Sequence, residues 1–255
     1  MKIWPIFKKE MRLYFTSPVA WVIMAVFLFI AGYFFYSIFS YYARVSMQSA
    51  MNPMGGGGLN VTDGVLRPLF SNFSVILLLM MPLVTMRLFA EERRSGTIEL
   101  LLTYPVRDGA VLLGKFLAAF ALYALMIALT LLYPAIIWYF APLEWGPILT
   151  GYVGLLLMGA TFIAVGVFAS SLTENQIVAA LLSFLILLMF WVVGWSADFA
   201  DPALGRVLQH LSLTEHNDSF AKGVFETKDI IFYVNFTLVA LFLALRSLEA
   251  RRWKG

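Results

Sequence analysis

Six apolar runs, each long enough to cross a bilayer as a helix, constrain this chain more than any other feature of its sequence. They cover residues 19–42, 69–86, 110–140, 148–170, 177–195 and 230–245. About 20 apolar residues are needed to span roughly 30 Å of hydrocarbon as a helix. Within lipid every backbone N–H and C=O must find a partner inside the protein, which leaves helices or a closed barrel. The runs are continuous, so the alternating pattern of barrel strands is missing. With 61% hydrophobic and 13% charged residues in 255, little chain is left for a soluble domain. The expected fold is an all-α integral membrane protein forming a single transmembrane domain over residues 1–255. Pro82 and Pro134 fall within spans and predict kinks.

Orientation follows from lysine and arginine. The N-terminus, the 87–109 segment, the 171–176 turn and the C-terminus share one side and carry most of the 18 basic residues. Arg44, Arg67, Arg206, Lys222 and Lys228 lie on the other. The positive-inside rule makes the first side cytoplasmic, with both termini there. This clustering at segment ends is a topology signal, and no basic stripe suited to nucleic acid is present. The first run is too long for a signal peptide, and "GYFFYSIFSYY" offers no small-residue cleavage site. Ahead of it, residues 1–18 predict an amphipathic helix lying on the cytoplasmic leaflet. Trp4, Phe7, Met11, Tyr14 and Phe15 share one face toward acyl chains, and Lys2, Lys8, Lys9 and Arg12 share the other toward phosphates. Membrane lipid is therefore an expected partner.

Several chemistries lack their residues. No Asp, Glu or Arg falls inside the six runs, and their one lysine, Lys115, sits near a cytoplasmic end. Proton relays and ion-coupled carriers place ionisable groups at mid-membrane. Intramembrane aspartyl proteolysis needs two buried carboxylates, and serine chemistry needs a base. Both histidines, however, lie in the 196–229 outer connection. The glycines of "MNPMGGGG" have neither the context nor the lysine of a phosphate loop. His210, His216 and Asp218 are close in sequence, but their spacing is not that of one helical face. The expectation is a solvated loop with incidental histidines and no metal. The absence of cysteine excludes disulfides and thiolate metal sites. In "SSLTENQIVAA", Thr173 followed by Gln176 reads as a capping box opening the fifth span.

The stretch "RLFAEERRSGTIELLLTYPV" departs from this apolar background. Arg87, Glu91, Glu92, Arg93, Arg94 and Glu99 crowd into thirteen positions and are followed by Leu100, Leu101 and Leu102. Gly96 breaks the helix leaving the second span, Thr97 is placed to cap a new one, and Pro105 ends it. Asp108 is placed to cap the third span. A short helix with apolar residues between charged flanks, acidic toward an anionic leaflet, is better suited to a protein partner than to lipid.

That stretch, continued by "VLLGK", resembles the cytoplasmic segment of type 2 ABC-transporter permeases. "FKKEMRLYFTSPVAW", "ASSLTENQIVAA" and "FLALRSLEARRW" are similar to the subgroup of gliding-motility and nitrous-oxide-reductase-accessory permeases. The resemblance covers nearly the whole chain. It implies a six-span permease of a bacterial inner membrane, with an N-terminal elbow helix at residues 1–18 and a cytoplasmic coupling helix within 87–109. It further implies a dimer with a second copy or a paralogue, and separate ATPase subunits. ATP and magnesium would then bind to the ATPase, leaving this chain without a cofactor. Mapped onto this sequence, the coupling interface is Glu91, Glu92, Arg93, Gly96, Thr97, Glu99, Leu100 and Leu101. Such permeases usually serve export. A non-transporting anchor or assembly subunit shares this topology, and a membrane enzyme would have only the outer histidine loop to work with.

The natural lack of cysteine makes the topology directly testable. Cysteines introduced at Gly56 and Ser219 should react with an impermeant thiol reagent added to intact cells, and one at Ser95 should not. External labelling at Ser95 would overturn the six-span arrangement.

Overall fold

The computed structural model describes residues 3–51, 60–97, 107–197 and 199–252, and among these it contains helices and no strand. Helix α1 (Ile3–Thr16) precedes α2 (Pro18–Met51). A π-helical turn, Thr62–Leu66, leads into α3 (Arg67–Thr85), which α4 (Arg87–Arg94) prolongs. Then follow α5 (Asp108–Leu129), α6 (Leu132–Phe140), α7 (Trp145–Leu172) and α8 (Gln176–Ala197). Two short helices, α9 (Pro202–Leu211) and α10 (Leu213–Ala221), lead to α11 (Thr227–Arg252).

Among the described residues, six stretches are long and apolar enough to cross a membrane: Pro18–Ser49, Thr62–Arg94, Asp108–Phe140, Trp145–Leu172, Gln176–Ala197 and Thr227–Ala250. Each contains one of the six apolar runs, and two continue well into charged flanks: Thr62–Arg94 takes in Asp63, Arg67, Arg87 and Glu91, and Thr227–Ala250 takes in Asp229, Arg246 and Glu249. Helix continues because it keeps satisfying the backbone where the apolar side chains have run out. One end of the bundle carries α1, the end of α4 and the start of α5, and is termed the basic end below.

The breaks have local causes. Pro134 has no N–H for the Thr130 carbonyl, which takes the Tyr133 N–H at 3.0 Å instead, so the third span splits into α5 and α6. The second span bends at Met86, four residues beyond Pro82. There the Thr85 hydroxyl donates back to the Met81 carbonyl at 2.8 Å, a bond that bends helices. The fifth span departs from the expected capping box. Thr173 terminates α7, and Asn175 caps α8 by accepting the Ile177 N–H at 2.9 Å. Only three residues separate the helices, so Thr173 lies too early to serve the second one. Asp108 likewise occupies the first turn of α5, where the helix dipole favours it, and Arg107 holds the cap position.

Helix α7 is the hub. Of its most apolar window 72% is buried, against 17% for the first span. It packs against α3, α5, α8, α10 and α11, and a β-carbon at Gly159 would lie 2.1 Å from the Tyr123 ring of α5. Small residues at such crossings let helices approach in lipid, where apolar burial alone gives no net attraction. The opposite end of the bundle is closed by α9 and α10, and the histidine stretch that the sequence suggested to be solvated is part of this cover. His216 is 4% exposed, with Nδ1 2.6 Å from Asp229 Oδ1 and Nε2 3.1 Å from the His210 carbonyl. The Tyr233 hydroxyl donates to the Leu213 carbonyl at 2.7 Å, and the Asn217 amide donates to Ser74 Oγ at 3.1 Å. Asp218 faces Arg67 at 2.9 Å and also pairs with Lys222. Partial burial pushes the Asp218 carboxyl up, but these two cations outweigh it and hold it below its ordinary value. Among the described residues no group of three His, Cys, Asp or Glu is placed to hold a metal.

Gly159→Val should force Tyr123 off its bond to the Leu155 carbonyl and lower stability by roughly 1–3 kcal/mol. The change should be read as a reduced melting midpoint of the detergent-purified protein. An unchanged midpoint would show that the α5–α7 crossing has slack.

Candidate functional site

Three helices converge on α4 at the basic end. Helix α1 lies against α5. Its Ile3 and Ile6 sit over Gly114, where an added β-carbon would meet the Ile6 side chain at 2.7 Å. The stripe continues through Glu10 and Tyr14, both buried. Spacings of three and four residues place all four side chains on one face. That face looks into the protein and carries a carboxylate, so the helix has a third side beyond the two that the sequence suggested. Tyr14 accordingly turns inward, donating to the Val84 carbonyl at 3.3 Å. Burial, and then the Glu10 charge, raise its phenol well above the ordinary value. Trp4 is 70% exposed, Phe7 and Met11 are half-buried, and Lys8, Lys9 and Arg12 are exposed.

Glu10 meets Lys115 of α5 at 2.8 Å, and Glu92 of α4 meets the same ammonium at 2.9 Å. Lys115 is 1% exposed. The Phe89 ring lies 5.3 Å from its nitrogen, within cation–π range. Lys9 adds a more exposed contact to Glu92 at 3.3 Å. Two carboxylates and two ammonium groups therefore balance, with Lys115 at the centre. An isolated buried charge is unfavourable, and pairing with two carboxylates is what lets this lysine lie inside.

The third grip on α4 comes from α7. The Ser170 hydroxyl accepts the Phe89 N–H at 3.0 Å and the Ala90 N–H at 3.1 Å, and donates to the Met86 carbonyl at 2.9 Å. The first N–H groups of any helix lack partners within it. Ser170 supplies one from another helix and so fixes the bend between α3 and α4.

The end of α4 matches the sequence pattern. Ser95 and Gly96 close it, with Gly96 at φ 70°, a conformation that favours glycine. The Thr97 hydroxyl turns back to the Glu92 carbonyl at 3.3 Å and lies 2.8 Å from Ser95 Oγ. Of the expected interface residues, Glu91, Gly96 and Thr97 are exposed, Glu92 is half-buried in the ion cluster, and Arg93 is buried. Glu99, Leu100 and Leu101 lie outside the described residues. A recess of about 300 Å³ lined by Lys9, Glu10, Arg87, Glu92, Thr97 and Lys115 opens beside the cluster.

Neither Glu10 nor Ser170 belongs to a motif that the sequence pattern singles out, and Lys115 stands out there only by its position. Glu10 interrupts an apolar stripe on α1, and Lys115 interrupts an apolar span. Two opposite charges, each alone on an apolar face, are a legible sign of pairing. Ser170 gave no such sign, because its role depends on a bend in a different span.

Residues 4–249 match the family model described as ABC-2 family transporter protein, and the chain belongs to that family. Members are membrane subunits of ABC transporters, are not themselves catalytic, and generally work with an ABC ATPase, often as dimers. Comparison with curated proteins gave no match.

Replacing Lys115 by Met leaves Glu10 and Glu92 buried without their common cation, which should destabilise the protein by about 3–5 kcal/mol. Adding Glu10→Gln to that variant should restore part of the loss, because Glu92 keeps Lys9. Melting midpoints of the two single variants and the double variant form a cycle. Additive effects would show that the cluster does not act as a unit.

Proposed function

We propose that this chain is the permease half of an ATP-driven exporter, working as a dimer in a bacterial inner membrane with its basic end in the cytoplasm. ATP and magnesium bind to a separate ATPase subunit, and the segment following α4 seats in that subunit as the coupling helix. One observation carries this reading. Helix α4, from which the segment departs, is held at once by Lys115 on α5, itself paired with Glu10 of α1, by Lys9 on α1, and by Ser170 on α7. A force applied to residues beyond Gly96 therefore reaches three further helices through short polar contacts. The spans offer no competing source of energy, since no acidic residue or arginine lies within the six apolar runs. The amphipathic α1, with Trp4 outward and Lys8 and Arg12 exposed, acts as the interfacial elbow. A second recess at the basic end, lined by Arg94, Glu174, Asn175, Gln176 and Ile177, extends the surface available to the ATPase.

Glu99→Lys combined with Leu101→Asp should leave the protein inserted at wild-type levels. Recovery of the ATPase subunit on the purified permease should fall by about tenfold or more, as when interface anchors are lost. ATP-driven transport should fall in parallel. Glu215→Lys, on the opposite end of the bundle, serves as the control and should retain both. A double variant that kept its ATPase and still transported would end the coupling reading. Wild-type protein that copurified with no ATPase would favour an anchoring subunit.

A further inference from the structure

A groove of about 650 Å³ runs between α7, α8 and α11 on the flank of the bundle. Apart from His210 and Leu211 of α9, its lining comes from helices that form spans, so it opens sideways toward the bilayer. Its chemistry changes in order along α11. Lys228 stands at the mouth with His210 beside it. Asn235 follows two turns further in, and Phe236, Val239 and Leu243 line the remainder. At 1.5 Å per residue, Asn235 lies about 10 Å and Leu243 about 22 Å from Lys228.

Asn235 is the telling residue. Its side chain is exposed, and among the described residues nothing hydrogen-bonds to its amide. Asn72 donates to the Pro68 carbonyl and Thr161 pairs with Thr237. The Ser183 hydroxyl and the Trp191 indole N–H lack a partner among the described residues but are buried; Asn235 differs from these two in facing outward into the groove. A primary amide facing hydrocarbon without a partner is unfavourable, so the occupant of the groove must offer it an acceptor.

We propose that this groove holds one phospholipid, with its phosphate at Lys228, an ester carbonyl accepting from the Asn235 amide, and an acyl chain along residues 236–243. An apolar wall alone would equally suit a helix of a second copy. What selects a phospholipid is the order of amine, amide and apolar wall at these depths, which mirrors phosphate, ester and chain. Lys228 already meets Glu226 at 2.5 Å, but an ammonium has three donors and can serve both oxygens. The site is independent of the coupling contact at the basic end.

The test uses the full-length protein in detergent and a phosphatidylethanolamine with a photoreactive group in mid-chain, with labelled peptides located by mass spectrometry. Labelling of 236–243 should saturate and be displaced by unlabelled phosphatidylethanolamine. Val239→Trp, at an exposed position, should abolish the saturable part while leaving the melting midpoint unchanged. Asn235→Leu should weaken it about three- to tenfold, the loss of one hydrogen bond. Lys228→Glu should also weaken it, by placing a carboxylate against the phosphate. Labelling that fails to saturate, or that is equal in the Val239→Trp variant, would mean ordinary solvating lipid and would overturn the proposal. Disulfide-linked dimers of the Asn235→Cys variant in native membranes would also overturn it, since a second copy would then cover the groove.

Discussion

A single buried ammonium organises the basic end of this protein. Lys115 lies inside a span, where a lone charge would be untenable, and it is kept there by carboxylates from two other helices. The three helices therefore cannot separate independently, because parting any pair exposes a charge to a poor environment. Gly114, the neighbour of Lys115, has no side chain, so α1 approaches closely enough for Glu10 to reach the ammonium. Apolar packing in lipid is only weakly selective between helix arrangements, whereas this pairing selects one. The ion cluster is thus better understood as fixing geometry than as a large net source of stability.

The two ends of the bundle solve different problems with similar means. At the basic end, the polar contacts hold the short helix α4. At the other end, they hold a cover: His216 against Asp229, Asn217 against Ser74, and Tyr233 against the Leu213 carbonyl. Between the ends, polar side chains mostly bond to hydroxyls and backbone carbonyls, as Thr161 and Tyr123 do. Such bonds stabilise helix crossings without placing charge in the hydrocarbon. The charges of the chain gather where there is water, a partner or an opposite charge.

The sequence made the six spans legible because hydrocarbon thickness imposes a length that composition reveals directly. Gly96 was legible for a similarly local reason, since a helix end with positive φ favours one residue type. What stayed hidden depended on contacts between distant segments. Ser170 is ordinary in sequence and becomes a cap only because α4 begins beside it. Thr173 matched a capping pattern, yet Asn175 took the role because α7 persists to Leu172 and leaves no room for the earlier start. The outer histidines looked solvated because charge and polarity dominate that connection. His216 is nevertheless covered, stacked on Phe232 with ring centroids 4.0 Å apart.

The placement of charge bears on how such a subunit does work. A membrane protein that captures an ion gradient needs a titratable or coordinating group along the path, and it accepts the unfavourable burial to obtain one. Among the described residues, the one fully enclosed lysine lies instead at the junction of α1, α4 and α5. Buried charge thus gathers at the two ends of the bundle, Lys115 with Glu10 and Glu92 at the basic end and Asp229 with His216 at the other. Ser170 strengthens the basic end, since three of its bonds meet at the bend and tie the α4 stub to the hub helix. A displacement of α4 would have to break those bonds and the Lys115 pairs together or carry α1, α5 and α7 along. Moving the helices together leaves no buried group unpaired, and it is the motion that the arrangement of charge favours.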